Sequence, residues 1–224
     1  MRLIIFDCDG TLVDSQHMIV EAMGAAFSAN GLPVPERAAV LRHVGLSVVD
    51  AMEMMTGLKG SETAVRLAAD YRTSFAALRR EARIADPMFP GAREALRTLA
   101  AESDTLLGIA TGKSRRGMAA LLEREGLEGV FATIQTADDA PSKPHPAMIL
   151  QAIDAVGAAP AETVMVGDTS FDMLMAKAAD VGAIGVGWGY HDAEELAEAG
   201  ASAVARDFPE LLEKLVSGKS TVAA

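Results

Sequence analysis

Asp7 and Asp9 close the short apolar run Arg2-Leu3-Ile4-Ile5-Phe6, with the turn-former Gly10 and Thr11 behind them. In extended chain, residues two apart point the same way, so both carboxylates can face one site. Two nearby carboxylates repel unless a cation or a proton lies between them. Asp168 follows a second run, Thr163-Val164-Met165-Val166-Gly167, and Asp172 stands four residues on, about one helical turn later. Thr111 ends a third run and precedes Gly112-Lys113-Ser114, where a hydroxyl and the amides of a helix start form a natural anion cradle. Lys143 sits between Pro141-Ser142 and Pro144, in a loop stiffened by prolines. A set of Asp oxygens without His or Cys partners suits Mg²⁺ rather than zinc.

The elements that must position these residues are legible from periodicity. Residues 2–6, 105–111, 131–136, 163–167 and 183–187 read as strands, with a weak one at 202–205. Helices are expected at 92–101, 115–125, 146–156, 171–179, 192–199 and 209–216. Between Ser15 and Asp86 only helices are found. One carries the stripe Ile19, Met23, Ala26 and Phe27 and ends at Asn30-Gly31; two shorter ones cover 36–43 and 48–55, and a longer one covers 62–81. Strands alternating with helices imply right-handed βαβ units and a parallel sheet covered on both faces. The expected fold is α/β, a doubly wound, Rossmann-like core (1–14 and 87–216) with an all-helical cap (15–86) inserted after the first strand. Residues 217–224 read as a frayed tail. In such sheets ligands bind beyond the carboxyl ends of the strands, at the switch point in strand order.

Composition narrows the partners. The 224 residues carry 20 Lys plus Arg against 31 Asp plus Glu, a formal charge of −11, which disfavours nucleic acid and anionic membranes. A few local cations and a metal can still attract an anionic substrate. The single cysteine, Cys8, forbids an intrachain disulfide. No signal core and no stretch of about 20 apolar residues is present, so a cytoplasmic location is expected.

Asp7-Cys8-Asp9-Gly10-Thr11-Leu12-Val13-Asp14-Ser15 resembles the first motif of the haloacid dehalogenase-like hydrolase superfamily. Thr111-Gly112, Lys143-Pro144 and Gly167-Asp168-Thr169-Ser170-Phe171-Asp172 resemble its second, third and fourth motifs, in the family's order. The resemblance covers Leu3 to about Leu215, and a helical cap in this place is typical of the branch containing phosphoglycolate phosphatases. It implies a Mg²⁺-dependent phosphatase acting on a small phosphorylated metabolite, with 2-phosphoglycolate foremost, as a monomer or homodimer. Asp7 would be the nucleophile that becomes the phosphoaspartate. Asp9 would protonate the leaving alcohol and later deprotonate water. Thr111 and the Gly112 amide would hold phosphoryl oxygens, and Lys143 would neutralise charge between Asp7 and the phosphate. Mg²⁺ would take the Asp7 carboxylate, the Asp9 backbone carbonyl and Asp168, with Asp172 orienting its neighbours or binding through a water.

The same residues have plainer readings. Asp-x-Asp-Gly alone is also an ordinary turn, and Asp168 and Asp172 alone would read as a cap and a solvated acid. Gly108 lies one residue too close for a nucleotide-binding Gly-x-x-x-x-Gly-Lys-Ser loop. Lys113 is therefore expected as a cation near the phosphate, whereas Arg115 and Arg116 are expected in solvent. In the cap, Arg42 or His43 could meet the far end of the substrate, with His17 a weaker candidate. Cys8 and Trp188 read as packing residues. An acid at position 9 favours phosphatase over dehalogenase, because a halide leaves without a proton. The alternatives are a phosphosugar mutase of the same fold and a receiver-like signalling module phosphorylated on aspartate. The latter lacks a helical lid and places its acid on a later strand.

Overall fold

The structure is a computed structural model that describes residues 1–81 and 86–217. Six parallel strands form one sheet: β1 (Arg2–Phe6), β2 (Thr105–Thr111), β3 (Thr133–Thr136), β4 (Thr163–Gly167), β5 (Gly182–Val186) and β6 (Ala203–Ala205). Their order is β3-β2-β1-β4-β5-β6. The chain thus winds outward from β1 on one side, then returns to pair β4 with β1 on the other. The switch point lies between β1 and β4, the strands that end at Asp7 and Asp168.

The central strand shows why the sheet is covered on both faces. Ile4 and Phe6 point into one apolar cluster with Leu107, Ile109 and Val166. Leu3 and Ile5 point into the other with Met165 and Ala110. All four β1 side chains are fully buried, as expected of a strand in a doubly wound sheet. Helices α5 (Ala92–Ala100), α6 (Arg115–Glu125) and α10 (Phe208–Ser217) cover the first face. Helices α7 (Ala147–Val156), α8 (Ser170–Ala178) and α9 (Ala193–Ala199) cover the second. Strand β3 is shorter than expected, starting at Thr133, and a 3-10 turn at Pro160–Glu162 precedes β4.

Between β1 and α5 lie α1 (Gln16–Ala29), α2 (Arg37–Leu41), α3 (Val48–Thr56) and α4 (Glu62–Arg80). They pack around their own apolar cluster, with Ile19, Met23, Phe27, Val40, Met52 and Leu67. Ser47 caps α3 by accepting from the Asp50 amide, and Ser61 caps α4 by accepting from Ala64. His43 lies past the end of α2, in a turn rather than in the helix expected over 36–43. The chain enters and leaves this insert as a pair: the Asp14 amide donates to the Pro87 carbonyl (2.8 Å) and the Phe89 amide to Leu12 (2.9 Å). The tail expectation lies outside the described residues beyond Ser217.

Because the insert has a core of its own, damage to it should stay local. Leu67→Ala removes a fully buried side chain and should cost about 2–5 kcal/mol. Amide hydrogen exchange should then quicken in α1 and α4 while β1, β2 and β4 keep their protection. Equal loss of protection throughout would show one shared core instead.

Candidate active site

The carboxyl ends of β1, β2 and β4 meet the Lys143 loop in one place. Asp7, Asp168 and Asp172 each present an oxygen within 4.8 Å of the others, and all three are buried. The Lys143 ammonium, itself buried, sits 2.9 Å from Asp7 Oδ1 and 2.6 Å from Asp172 Oδ1. Burial alone would disfavour its charge, but Asp172 and then Asp7 outweigh that and hold the ammonium above the ordinary lysine range. Asp7 is pushed up to about 7, chiefly by burial, with Lys143 opposing and Asp172 adding to the rise. Asp168 is raised well above the usual carboxylate range by burial and by its acidic neighbours Asp7 and Asp172.

The three acids differ in what else they touch. Asp168 Oδ1 accepts from the Thr11 hydroxyl (2.7 Å) and Oδ2 from the Tyr190 amide (3.0 Å). Asp172 Oδ2 accepts from the hydroxyl (2.7 Å) and amide (3.1 Å) of Thr169, closing a capping box at the start of α8. Neither oxygen of Asp7 accepts a well-aligned hydrogen bond, although both are buried. A buried carboxylate with one ammonium beside it and no well-aligned hydrogen bond is costly, and a divalent cation would reduce that cost. The donor set, oxygen throughout, fits Mg²⁺.

Gly10 makes this approach possible. Its φ is +85°, and a Cβ there would lie 2.2 Å from Asp168 Oδ2, so the loop after β1 can run against the acid of β4 only without a side chain.

Asp9 stands apart from the three. Its Oδ1 accepts from the Lys113 ammonium (2.8 Å) and the Ser15 hydroxyl (2.5 Å). Lys113 is thus tied to Asp9, and Asp9 holds its ammonium above the ordinary range against the penalty of burial. Thr111 Oγ1 accepts from the Lys113 amide (3.2 Å). Asp7, Asp9, Thr111, Gly112 and Lys113 all line one cavity of about 640 Å³ between the sheet ends and the insert.

The insert closes over this cavity. A Cβ on Gly112 would lie 2.4 Å from the Leu46 carbonyl oxygen, so the turn after α2 rests directly on the backbone behind β2. The Ser47 amide donates to Ser142 Oγ (2.7 Å), beside Lys143.

Of the insert residues singled out in the sequence, His43 lines the cavity and Arg42 does not. Arg42 turns outward, 66% exposed, to pair with Glu195 of α9 at 3.3 Å. Of the two residues that the sequence offers for the far end of a substrate, His43 is the one placed along the cavity, and Arg42 points away from it. His17 is exposed and does not line the cavity. Arg116 is exposed, in keeping with the solvated role expected, although it also lies along the cavity. Trp188 packs on Phe208 (centroids 4.7 Å apart), and its Nε1 donates to the Thr11 carbonyl.

The sequence reasoning missed the supporting residues Thr11, Ser15, Thr169 and Tyr190. The first three lie inside or beside quoted motifs, where hydroxyl residues next to acids were a usable signal. Tyr190 offered none, because it reaches the site only through the β4–β5 pairing.

The charge crowding sets a pH dependence with a definite sign. Asp7 is raised from 3.8 to about 7 on folding, so between those values the folded state holds a proton that the unfolded chain has lost. Its contribution to stability is present below about pH 4 and is lost as pH rises through 7. In EDTA, Asp7→Asn should therefore melt several degrees above wild type at pH 8 and nearly with it at pH 4. Mg²⁺ should close the gap at pH 8 by raising the wild type. Thermal melts at the two pH values check this, and a gap that does not change with pH would contradict it.

Comparisons with known proteins agree with this geometry. Residues 4–186 match the family described as haloacid dehalogenase-like hydrolase. A protein of Dickeya dadantii named "Probable phosphatase IndB" is 38% identical over 213 residues, covering 94% of this chain and 91% of its own. A phosphoglycolate phosphatase of Chromobacterium violaceum is 33% identical over 223 residues, covering 97% and 98%. The crystal structure of a hydrolase from Pseudomonas syringae superposes with a TM-score of 0.84 at 30% identity, covering 97% of this chain and 99% of that one. The chain belongs to the haloacid dehalogenase-like hydrolases and is one of their phosphatases.

Proposed function

We propose that this enzyme hydrolyses the phosphomonoester of a small metabolite through a phosphoaspartate on Asp7, with Mg²⁺ as its cofactor. The observation that carries the reading is the Asp7 carboxylate: buried, lining the cavity, paired with Lys143 and without a well-aligned hydrogen bond. A carboxylate so placed is a nucleophile poorly solvated in its resting state, and its attack on phosphorus disperses the charge that burial makes costly. Asp7, Asp168 and the Asp9 backbone carbonyl would hold the metal, which when bound screens the anionic oxygens of the phosphoryl group.

In the first step an Asp7 oxygen bonds to phosphorus as the ester P–O bond breaks, and Asp9 gives its proton to the departing alkoxide. In the second step Asp9 takes a proton from water. The resulting hydroxide attacks phosphorus and releases phosphate and the Asp7 carboxylate. Lys143 neutralises the growing charge at Asp7, and Asp172 holds that ammonium in place. Thr111 and the Gly112 amide would receive phosphoryl oxygens at the end of β2. Lys113, bound to Asp9, would position that acid as well as meet the substrate.

The division into a core (1–14, 87–216) and a cap (15–86) belongs to this reading, with the cap acting as a lid that excludes water and large substrates. Among the described residues no helix is long and apolar enough to cross a membrane, which accords with a small water-borne substrate. The names of relatives put 2-phosphoglycolate forward as the reference substrate for assay.

Asp7→Asn should reduce turnover by at least about 10⁴-fold while far-UV circular dichroism stays unchanged. Phosphate release from a monoester should require Mg²⁺ and no bisphosphate activator. Retained activity in the variant would remove Asp7 from its role, and dependence on a bisphosphate would favour a mutase.

A further inference from the structure

We infer that the substrate carries an apolar body beyond its phosphate, larger than the two-carbon acid of 2-phosphoglycolate; this rests on the phosphatase reading above. The cavity of about 640 Å³ falls within the range that encloses a drug-sized ligand. Its walls on the insert side include the apolar Ile19, Met23, Val40, Val44, Val48 and Phe75, with the polar His43 and Tyr71 among them. The first four are 2–9% exposed, so they form a fixed apolar surface rather than mobile side chains at a rim.

The cavity is also long. Helix α4 lines it from Tyr71 to Arg80, and nine residues of helix advance roughly 13 Å. The reacting end meets the middle of that stretch: the Lys113 ammonium, bonded to Asp9, is 5.4 Å from the Phe75 ring centroid, and the Arg79 guanidinium is 5.3 Å from the same ring. A two-carbon acid held at Asp7 would leave most of the 640 Å³ unfilled.

The charges point the same way. The carboxylate of a short acid would lie within a few ångströms of the phosphate and would want an unoccupied cation there. Lys113 is buried at that place and held by Asp9. Arg79 is paired through Nη2 with Asp86, which Arg124 also holds, while its buried Nε has no hydrogen-bond partner among the described residues; Arg42 pairs with Glu195 away from the cavity. Arg72, Arg80 and Arg116 line the cavity but are largely in solvent, where an ion pair adds little. Arg79 and His43 apart, apolar contact is what the enclosed walls of the insert mainly offer.

The test is a series of n-alkyl phosphates from ethyl to hexyl, with phenyl phosphate and 2-phosphoglycolate, assayed by phosphate release in Mg²⁺. Burial of each methylene should raise kcat/KM by about 2- to 4-fold over the first few carbons. The gain should appear as a lower KM, because the body is bound alike before and during the reaction. Hexyl phosphate should exceed 2-phosphoglycolate by about tenfold or more. Val48→Asn, which places an amide on the wall, should flatten the dependence on chain length. A flat or falling series with 2-phosphoglycolate the best substrate would overturn the inference and leave the phosphatase reading intact. No phosphate release from any ester would overturn both.

Discussion

The structure depends on concentrating negative charge where water cannot reach it. Asp7, Asp168 and Asp172 share one buried space with a single ammonium, that of Lys143, between two of them. Such an arrangement costs free energy in the absence of a cation, because desolvated carboxylates repel and each must find donors. Lys143 and the capping box of α8 satisfy Asp172; Thr11 and the Tyr190 amide satisfy Asp168. Asp7 is left the least satisfied, which is the property the proposed nucleophile requires. On that proposal the local instability and the chemistry have one origin.

A parallel sheet is suited to bear this cost. Its strands are buried on both faces by apolar side chains, with Leu3, Ile4, Ile5 and Phe6 all inaccessible to solvent, so the ends of β1 and β4 are fixed by packing that owes nothing to the acids. The reversal of strand order between them leaves an opening where Asp7 and Asp168 face each other. The glycine at position 10 lets the following loop come close enough to finish the site. Rigid elements supply the positions, and short loops supply the groups.

The insert adds what the sheet lacks, a wall. With an apolar cluster of its own, it can keep its shape while resting on the core through a few contacts: Leu46 on Gly112, Ser47 on Ser142, and Phe75 over Lys113. The last of these ties the wall to the acid two residues from Asp7, since the same ammonium bonds Asp9. Enclosure of the cavity and the environment of Asp9 are thereby coupled.

Much of this could be read before any coordinates. Apolar runs of four to seven residues closed by Asp7, Thr111 and Asp168 announced buried strands with polar ends, because burial on both faces leaves no alternation to hide them. Apolar residues at helical spacing between Ser15 and Asp86 announced that this stretch is helical, as α1 to α4 are. The pairing of side chains across the site was not readable. Lys143 meets Asp172 and Lys113 meets Asp9 across 29 and 104 residues. Tyr190 reaches Asp168 only because β5 lies beside β4, and Arg42 turns to Glu195 while its neighbour His43 enters the cavity. Local sequence sets which backbone segments form, since hydrogen bonding and burial repeat every few residues. Which side chains then touch depends on strand order and on how the insert docks, and no short spacing encodes either.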